Sequence, residues 1–227
     1  MLHLLLSGNF SFADIVAQLL AVVLIIFLIL PFHEWAHGFT ASLLGDNYAK
    51  SRGRVSFNPL RHFDPIGAIF MLIFGFGWAK AVPINPNNFK RPKLGMAITA
   101  IMGPIANLIA AMVGMLVRNC IMVFAYEFYF SAVGEFIDSF LLFYIICNIS
   151  LAIFNLIPIP PLDGSKVLFL FLPDNAVEFC YRYQNAFFIA LMVLINSNLF
   201  SIFTDWAVLG LYNSLTSIAA LPFLPFV

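Results

Sequence analysis

Long, almost uncharged apolar stretches divide this chain. They run over residues 15–32, 94–117, 136–157, 176–195 and 199–221. An α-helix rises about 1.5 Å per residue, so about 20 apolar residues cross the hydrocarbon core of a bilayer. In lipid the backbone must satisfy its own hydrogen bonds, and a helix does so within one segment. The sequence therefore predicts an all-α polytopic membrane protein with about five to six transmembrane helices.

The composition excludes other common classes of protein. Of the 227 residues, 62% are hydrophobic and only 10% are charged, whereas soluble chains average about 25% charged residues. A soluble globular enzyme and a disordered chain are therefore excluded. Lys and Arg number 11, as do Asp and Glu, so we expect no nucleic-acid partner, because nucleic-acid-binding proteins carry excess positive charge. The expected environment is the lipid bilayer.

The segment after the first stretch is different in character. Residues 46–65 mix Gly, Pro and basic residues, and the apolar run at 66–78 is only about 13 residues long, too short to span a bilayer. We expect a small re-entrant or β-hairpin segment here. Of the 11 basic residues, 8 lie between Lys50 and Lys93, and the positive-inside rule places that region in the cytoplasm.

We expect one integral-membrane domain over residues 1–227, with a core at 13–172 and two further C-terminal spans within 176–221. Between the basic region and residues 158–164, the chain crosses the membrane outward and then back. The turn at 158–164 is therefore predicted to lie on the cytoplasmic side as well.

Residues 33–37 read HEWAH, an HExxH pattern at the end of the first stretch. On a helix, positions four apart are displaced by about 40° around the axis and about 6 Å along it, so His33 and His37 can bind one Zn²⁺ from one face. Glu34 lies beside that face, where a carboxylate can act as general base without being a ligand. The alternative is a polar patch where the helix leaves the bilayer, although ionisable groups there are costly.

A catalytic zinc typically has three protein ligands and leaves one position for water, so a third ligand is needed. The candidates are His3, His62 and acidic residues near apolar segments. Asp163 stands out because it lies in a Pro-rich turn, residues 155–164, on the same predicted side of the membrane as the HEWAH segment. Its alternative role is to cap the helix that an Asp-Gly-Ser sequence would begin. The residues by themselves leave both roles open.

Three segments together resemble a known family. HEWAH on an apolar helix, Gly-Pro-Ile-Ala-Asn-Leu at residues 103–108 and the run at 155–164 are similar in order and spacing to the site-2 protease family of intramembrane zinc metalloproteases. The stretches GRVSFNPLRHFDP and GWAKAVPINP resemble its short bacterial branch, which lacks a PDZ or nucleotide-sensing domain. The resemblance covers about residues 29–166.

This resemblance implies one Zn²⁺ per chain, held by His33, His37 and Asp163, with Glu34 as the catalytic base. It implies hydrolysis of a peptide bond in or near a transmembrane segment of a membrane-protein substrate by a zinc-activated water. Membrane-tethered transcription regulators and remnant signal peptides are the substrate classes implied. The expected location is the bacterial plasma membrane, with the active site toward the cytoplasm.

Two asparagines and one histidine have two interpretations each. Asn107 lies among small residues at helical spacing and would form an interhelical hydrogen bond, whereas the family pattern implies that it orients substrate or holds an oxyanion. Asn155 is similar, with backbone bonding before a Pro-rich turn as its alternative. Both are therefore candidate substrate-binding residues. His62 lies between prolines and is expected to stabilise a turn, with a role near the metal or substrate left open.

Two other functions compete with proteolysis. A zinc-binding membrane scaffold that holds a partner without cutting it would keep the fold but would not need Glu34. A metal-ion transporter would use His33, His37 and Asp163 as a transit site, but it would also need polar groups along a path across the membrane. The apolar stretches between residues 94 and 221 offer few such groups.

Overall fold

The computed structural model describes residues 16, 19–20, 22–74, 77–195 and 197–226. His3 and the predicted start of the first span, Ile15 with Gln18, lie outside the described residues. Within them the chain is helical apart from turns and irregular connections, and no strand is assigned there. The helices in chain order are α1 (Val22–Leu43), α2 (Tyr48–Ser51), α3 (Pro65–Phe74), α4 (Pro92–Phe124), α5 (Tyr126–Tyr129), α6 (Ala132–Leu156), α7 (Asp163–Phe169), α8 (Asp174–Arg182), α9 (Gln184–Ile195) and α10 (Asn198–Ala220).

Four described helices are long and apolar enough to cross a membrane: α1, α4, α6 and the stretch Ile202–Pro225, which includes most of α10. The predicted all-α membrane class is confirmed. The shorter α9 has 12 residues, and the count of five to six spans stays a prediction, as does the division into a core and C-terminal spans. After α1, the ten residues of α3 extend only about 15 Å, too little to cross. A β-hairpin is not observed in the described residues of this region.

Helix α1 passes through a wide turn before it reaches the HEWAH segment. Residues Ile25–Ile29 form a π-helical turn, in which the Leu30 N–H donates to the Ile25 carbonyl. This π-turn lies just before Pro31, the second residue of the helical segment that follows. Proline has no N–H and is tolerated at the start of a helical segment. The segment Leu30–Leu43 then continues as a regular α-helix.

Helix α4 lies at the centre of the bundle because its small residues let other helices approach closely. Ala110 packs in a cluster with Val22 and Ile25 of α1. On another face, Ala111 packs against Ile145 of α6. Small residues at such contacts typify helix packing in membranes, where dispersion and close fit replace the hydrophobic effect. This arrangement brings α1 and α6, which are distant in sequence, against one helix.

The irregular segment 77–88 is attached to its surroundings at three places along its length: residues 80–81, Val82 and residues 85–88. The Lys80 N–H donates to the His62 carbonyl at 2.8 Å, and the Arg54 guanidinium donates to the Lys80 and Ala81 carbonyls at 2.8 and 3.1 Å. Further along, the Val82 N–H donates to Glu34 of α1 at 2.7 Å. These bonds hold a segment without regular secondary structure beside the HEWAH helix.

The third attachment is Asp46, a fully buried carboxylate just after α1. Its Oδ2 accepts the Asn85 N–H at 2.7 Å, while its Oδ1 accepts the Asn88 side-chain amide at 2.6 Å and the Tyr48 N–H at 3.0 Å. A buried carboxylate is tolerated when several donors satisfy it. Asp46 therefore fastens the end of α1 to the far end of segment 77–88.

We expect Asp46→Ala to destabilise the protein, because it removes the buried carboxylate that accepts from the Asn85 N–H and the Asn88 side-chain amide. Hydrogen bonds to a charged group typically contribute about 1.5–3 kcal/mol each. Thermal unfolding in detergent would show a clearly lower melting temperature. The matched control is Asp174→Ala, since the Asp174 side chain is 90% exposed in its ion pair with Lys93 and exposed pairs contribute little. Equal melting temperatures for the two variants would contradict the structural role of Asp46.

Candidate metal centre

Three side chains from two distant parts of the chain converge beside α4. The Nε2 atoms of His33 and His37 lie 3.0 Å apart, and each lies 3.2 Å from Oδ2 of Asp163. In a tetrahedral zinc site with metal–ligand distances of about 2.0–2.1 Å, two ligand atoms are separated by about 3.3 Å. The triangle formed by these three atoms has nearly those edges. Within the described part of the chain, this is the one group of His, Cys, Asp and Glu with metal-ligand spacing.

The hydrogen bonds at the two Nδ1 atoms determine which nitrogen of each imidazole faces the centre of the three-residue cluster. Nδ1 of His37 lies 2.7 Å from the Thr99 carbonyl oxygen, which can only accept, so this Nδ1 carries the proton. Nδ1 of His33 donates to Oδ1 of Asn107 at 2.8 Å. In neutral imidazoles protonated at Nδ1, both Nε2 atoms present lone pairs. Three acceptors then meet with no hydrogen between them, an arrangement that a cation makes favourable, so these residues fit Zn²⁺.

Gly103 gives the imidazoles their space on α4. A Cβ atom at this position would overlap the rings of both His33 and His37. The segment 103–108 therefore contributes two things to the site: the space left by Gly103 and the Asn107 side chain. The glycine lets α1 and α4 approach closely enough for the histidines to reach their partners on α4.

Asp163 is the first residue of α7, and Leu162 occupies the N-cap position. Asp163 therefore does not cap this helix; its Oδ2 faces the two histidines. The neighbouring Gly164 packs so closely on the Leu156 carbonyl at the end of α6 that a Cβ would overlap it. This contact sets the position of the turn that carries Asp163.

Glu34 lies beside the three-residue cluster and is 8% exposed. Its Oε2 accepts the Val82 N–H at 2.7 Å. This bond orients the carboxylate from segment 77–88. Glu34 lines the same cavity as His33 and Asp163, which is where a general base has to lie.

Lys166 is a polar residue of the site that the sequence analysis did not identify. Its Nζ donates to the Pro161 and Leu162 carbonyls at 2.5 and 3.2 Å and lies 3.9 Å from Oδ1 of Asp163. Burial lowers the pKa of Lys166, whereas the charges of Asp163 and Glu34 oppose this shift. The ammonium group therefore braces the turn and faces the Asp163 oxygen that points away from the histidines.

The other predicted residues lie at different distances from the cluster. Asn107 is fully buried and contacts His33, and its Nδ2 has no hydrogen-bond partner among the described residues. Asn155 lines the cavity beside Asp163, and its amide donates to the Leu151 carbonyl at 3.0 Å. Substrate binding by either asparagine stays a prediction. His62 is outside the cluster; its Nε2 donates to the Ser56 carbonyl at 2.8 Å, and its role in stabilising a turn stays a prediction.

Two backbone groups of the site carried no signal in the sequence: the Thr99 carbonyl behind His37 and the Val82 N–H on Glu34. Every residue except proline offers these same groups, so residue type could not reveal them. Only the packing of α4 and of segment 77–88 against α1 selects these two.

Comparison with known proteins identifies the family of this chain. The profile described as "Peptidase family M50" matches residues 117–196, which include Asp163 but not the HEWAH segment. A relative from Bacillus subtilis (strain 168), named "Putative zinc metalloprotease YwhC", is 37% identical over 173 residues, covering 75% of this chain and 78% of the relative. The chain belongs to peptidase family M50, the site-2 protease family.

A second relative supports the same family. The protein named "Putative zinc metalloprotease Rip2" from Mycolicibacterium smegmatis is 26% identical over 169 residues, which is 72% of this chain and 62% of that protein. No solved structure matches the chain significantly. As a member of family M50 the protein is a membrane-embedded zinc metalloprotease, and its cofactor is zinc.

We expect Gly103→Ala to abolish or strongly weaken zinc binding by this M50 protease, because the added methyl group overlaps both imidazoles. Metal content of the purified protein would be measured by mass spectrometry. The matched control is Gly210→Ala, where an added Cβ has no neighbour within 4 Å. If both variants kept the native zinc content, the close approach at Gly103 would not be required for the site.

We expect Asn107→Ala to lower zinc affinity by about 10–100-fold, the usual cost of removing a partner that orients a metal-binding histidine. Competition with a chelator would measure the affinity. Asn155→Ala is the control, since the Asn155 amide bonds a backbone carbonyl on its own helix. Unchanged affinity in Asn107→Ala together with impaired cleavage would instead favour direct contact with substrate.

Proposed function

We propose that this protein hydrolyses a peptide bond in or near the transmembrane segment of a membrane-protein substrate, with His33, His37 and Asp163 holding Zn²⁺ and Glu34 acting as general base. The observation that carries the proposal is the convergence of three lone-pair atoms within 3.2 Å beside a buried carboxylate. That arrangement supplies a site for the metal and a group for the proton. Membership of family M50 supports the same reaction.

Zinc, when bound, supplies the activation of water and the polarisation of the substrate carbonyl. Glu34 accepts the proton that the attacking water loses, and it later gives a proton to the leaving amine. The bond to the Val82 N–H keeps Oε2 of Glu34 oriented during both transfers. Asn107 and the Thr99 carbonyl hold the imidazoles in the tautomer that presents Nε2 to the metal.

The site lies at the end of the bundle that carries the basic residues. Lys93, at the start of α4, bonds the Leu172 carbonyl and Asp174, so the turn between α7 and α8 lies at the same end as the start of α4. By the positive-inside rule this end faces the cytoplasm. We propose a cytoplasmic water path to Glu34 and a location in the bacterial plasma membrane.

The substrate has to be unwound locally, because the backbone of an intact helix is shielded by its own hydrogen bonds. The residues around Glu34 offer a wall for an unwound segment: Ala79 and Ala81 of segment 77–88 line the cavity beside His33 and Asp163. The substrate segment is therefore proposed to lie along segment 77–88, with its scissile carbonyl toward the three-residue cluster.

We expect Glu34→Gln to keep zinc but to lose cleavage by a factor of about 10²–10⁴, the usual contribution of a general base. The amide retains an oxygen that can accept the Val82 N–H, but it cannot take up a proton at neutral pH. The measurement compares zinc stoichiometry and cleavage of a panel of single-span model substrates by purified protein in detergent. The matched control is Glu135→Gln, an exposed glutamate at the start of α6.

Each outcome of this experiment separates the candidate functions. Zinc near one per chain in all three forms, with cleavage by only the native and Glu135→Gln proteins, supports the protease. Zinc in every form without cleavage of any substrate would favour the zinc-binding scaffold. Absence of zinc from the native protein would refute the metal site.

A further inference from the structure

Two cavities border the metal-binding histidines. The first, called here the membrane cavity, has a volume of about 450 Å³ and is lined by Leu30, His33, Trp78, Phe154, Phe188 and Met192, among others. The second, called here the surface cavity, has a volume of about 400 Å³ and is lined by His37, Ile84, Pro86, Met96 and Tyr181, among others. Each histidine lines only one of them.

The groups assigned to catalysis lie between the two cavities. Glu34 and Asp163 line both, as do Ala81 and Lys166. A polypeptide that places its scissile bond at Glu34 therefore has one cavity on each side of that bond. In an extended chain successive side chains point to opposite sides. The side chains of the two residues joined by the scissile bond therefore point in opposite directions, one toward each cavity.

The cavities differ in depth. His33 and His37 are one helical turn apart, about 6 Å along α1, and Leu30 of the membrane cavity lies almost one further turn from the end of α1. The surface cavity instead reaches Pro86 and Met96, which flank the basic residues before and at the start of α4. The membrane cavity is therefore the deeper of the two, and the surface cavity is nearer to the basic end of the bundle.

The cavities also differ in chemistry. Aromatic side chains of Trp78, Phe154 and Phe188 contribute to the membrane cavity, which suits a large apolar or aromatic side chain. The surface cavity combines Ile84 and Met96 with the Tyr181 ring and its hydroxyl, which suits an aliphatic side chain near the interface.

We propose that these cavities are the two substrate side-chain sites flanking the scissile bond. The membrane cavity takes a large apolar or aromatic residue from the membrane-embedded side of the substrate, and the surface cavity takes an aliphatic residue from the side nearer the basic end. This inference rests on the proposed function, since it requires the scissile bond to lie at Glu34. For a single-span substrate whose N-terminus is on the basic side, the residue before the scissile bond enters the surface cavity.

The first test enlarges each cavity separately. Phe188→Ala, with Phe188→Leu as the milder variant, enlarges the membrane cavity; Ile84→Ala, with Ile84→Val, enlarges the surface cavity. Exposed residues outside both cavities give the matched controls Ile189→Ala and Ile66→Ala, since Ile189 and Ile66 are 65% and 61% exposed. The two residues flanking the mapped cleavage site of one model substrate are varied among Ala, Leu, Phe and Trp. Zinc content is measured for every variant and is expected to equal that of the native protein.

We expect Phe188→Ala to increase kcat/KM for Trp relative to Leu on the membrane side of the scissile bond by on the order of tenfold, without changing the preference on the other side. Ile84→Ala is expected to shift only the preference on the basic side, from Leu toward Phe, by a similar factor. Shifts on the same side in both variants, or no shift in either while cleavage continues, would overturn the proposal. If the native protein itself cleaved none of these substrates, the result would instead count against the proposed function.

A second measurement needs no cleavage. The Glu34→Gln protein is photocrosslinked to the same substrate carrying benzoylphenylalanine on one or the other side of the scissile bond. The membrane-side probe is expected to label Met192 and the basic-side probe Met96, while Met122, at the far end of α4, stays unlabelled. The reverse pattern, one shared methionine, or no crosslink from either position would contradict the assignment of the cavities.

Discussion

Three lone-pair atoms, two imidazole nitrogens and one carboxylate oxygen, meet at 3.0–3.2 Å between α1 and α7. Without a positive charge among them this contact is repulsive, and in a membrane protein little water is available to screen it. The surrounding structure has to bring the three groups together and supply a cation. Gly103, the turn before α7 and the partners behind each histidine all serve this arrangement.

The ionisable groups of the site are expensive to place at this depth, and the structure gives His33, His37 and Glu34 specific hydrogen-bond partners. Asn107 and the Thr99 carbonyl accept the Nδ1 protons of the histidines. Glu34 receives a backbone N–H, and Asp46 receives three donors. Such pairing reduces the desolvation cost of buried polar groups. It also fixes orientation, because a histidine bonded at Nδ1 can bind metal only through Nε2.

Segment 77–88 borders both the metal-binding cluster and the two cavities beside it. It has no regular secondary structure apart from the short turn Pro86–Asn88, yet bonds from Arg54, His62, Glu34 and Asp46 attach it along its length. The same segment lines both cavities, through Ala79 and Ala81 on one side and Ile84 and Pro86 on the other. Glu34, the proposed general base, and the walls of both cavities are therefore held by one piece of backbone, so a displacement of the segment alters both.

The sequence by itself determined the helical membrane class, because hydropathy and helical rise depend on consecutive residues. It also determined that His33 and His37 share one helix face with Glu34 beside it, since that follows from 3.6 residues per turn. Asp163 was reachable through topology and resemblance, and the structure places it against both histidines. Only the tertiary structure selected the Thr99 carbonyl, Asn107 and the Val82 N–H as partners, at sequence separations of 62, 74 and 48. These contacts arise from the packing of distant segments, and a backbone N–H or carbonyl looks alike in every residue that could have supplied it.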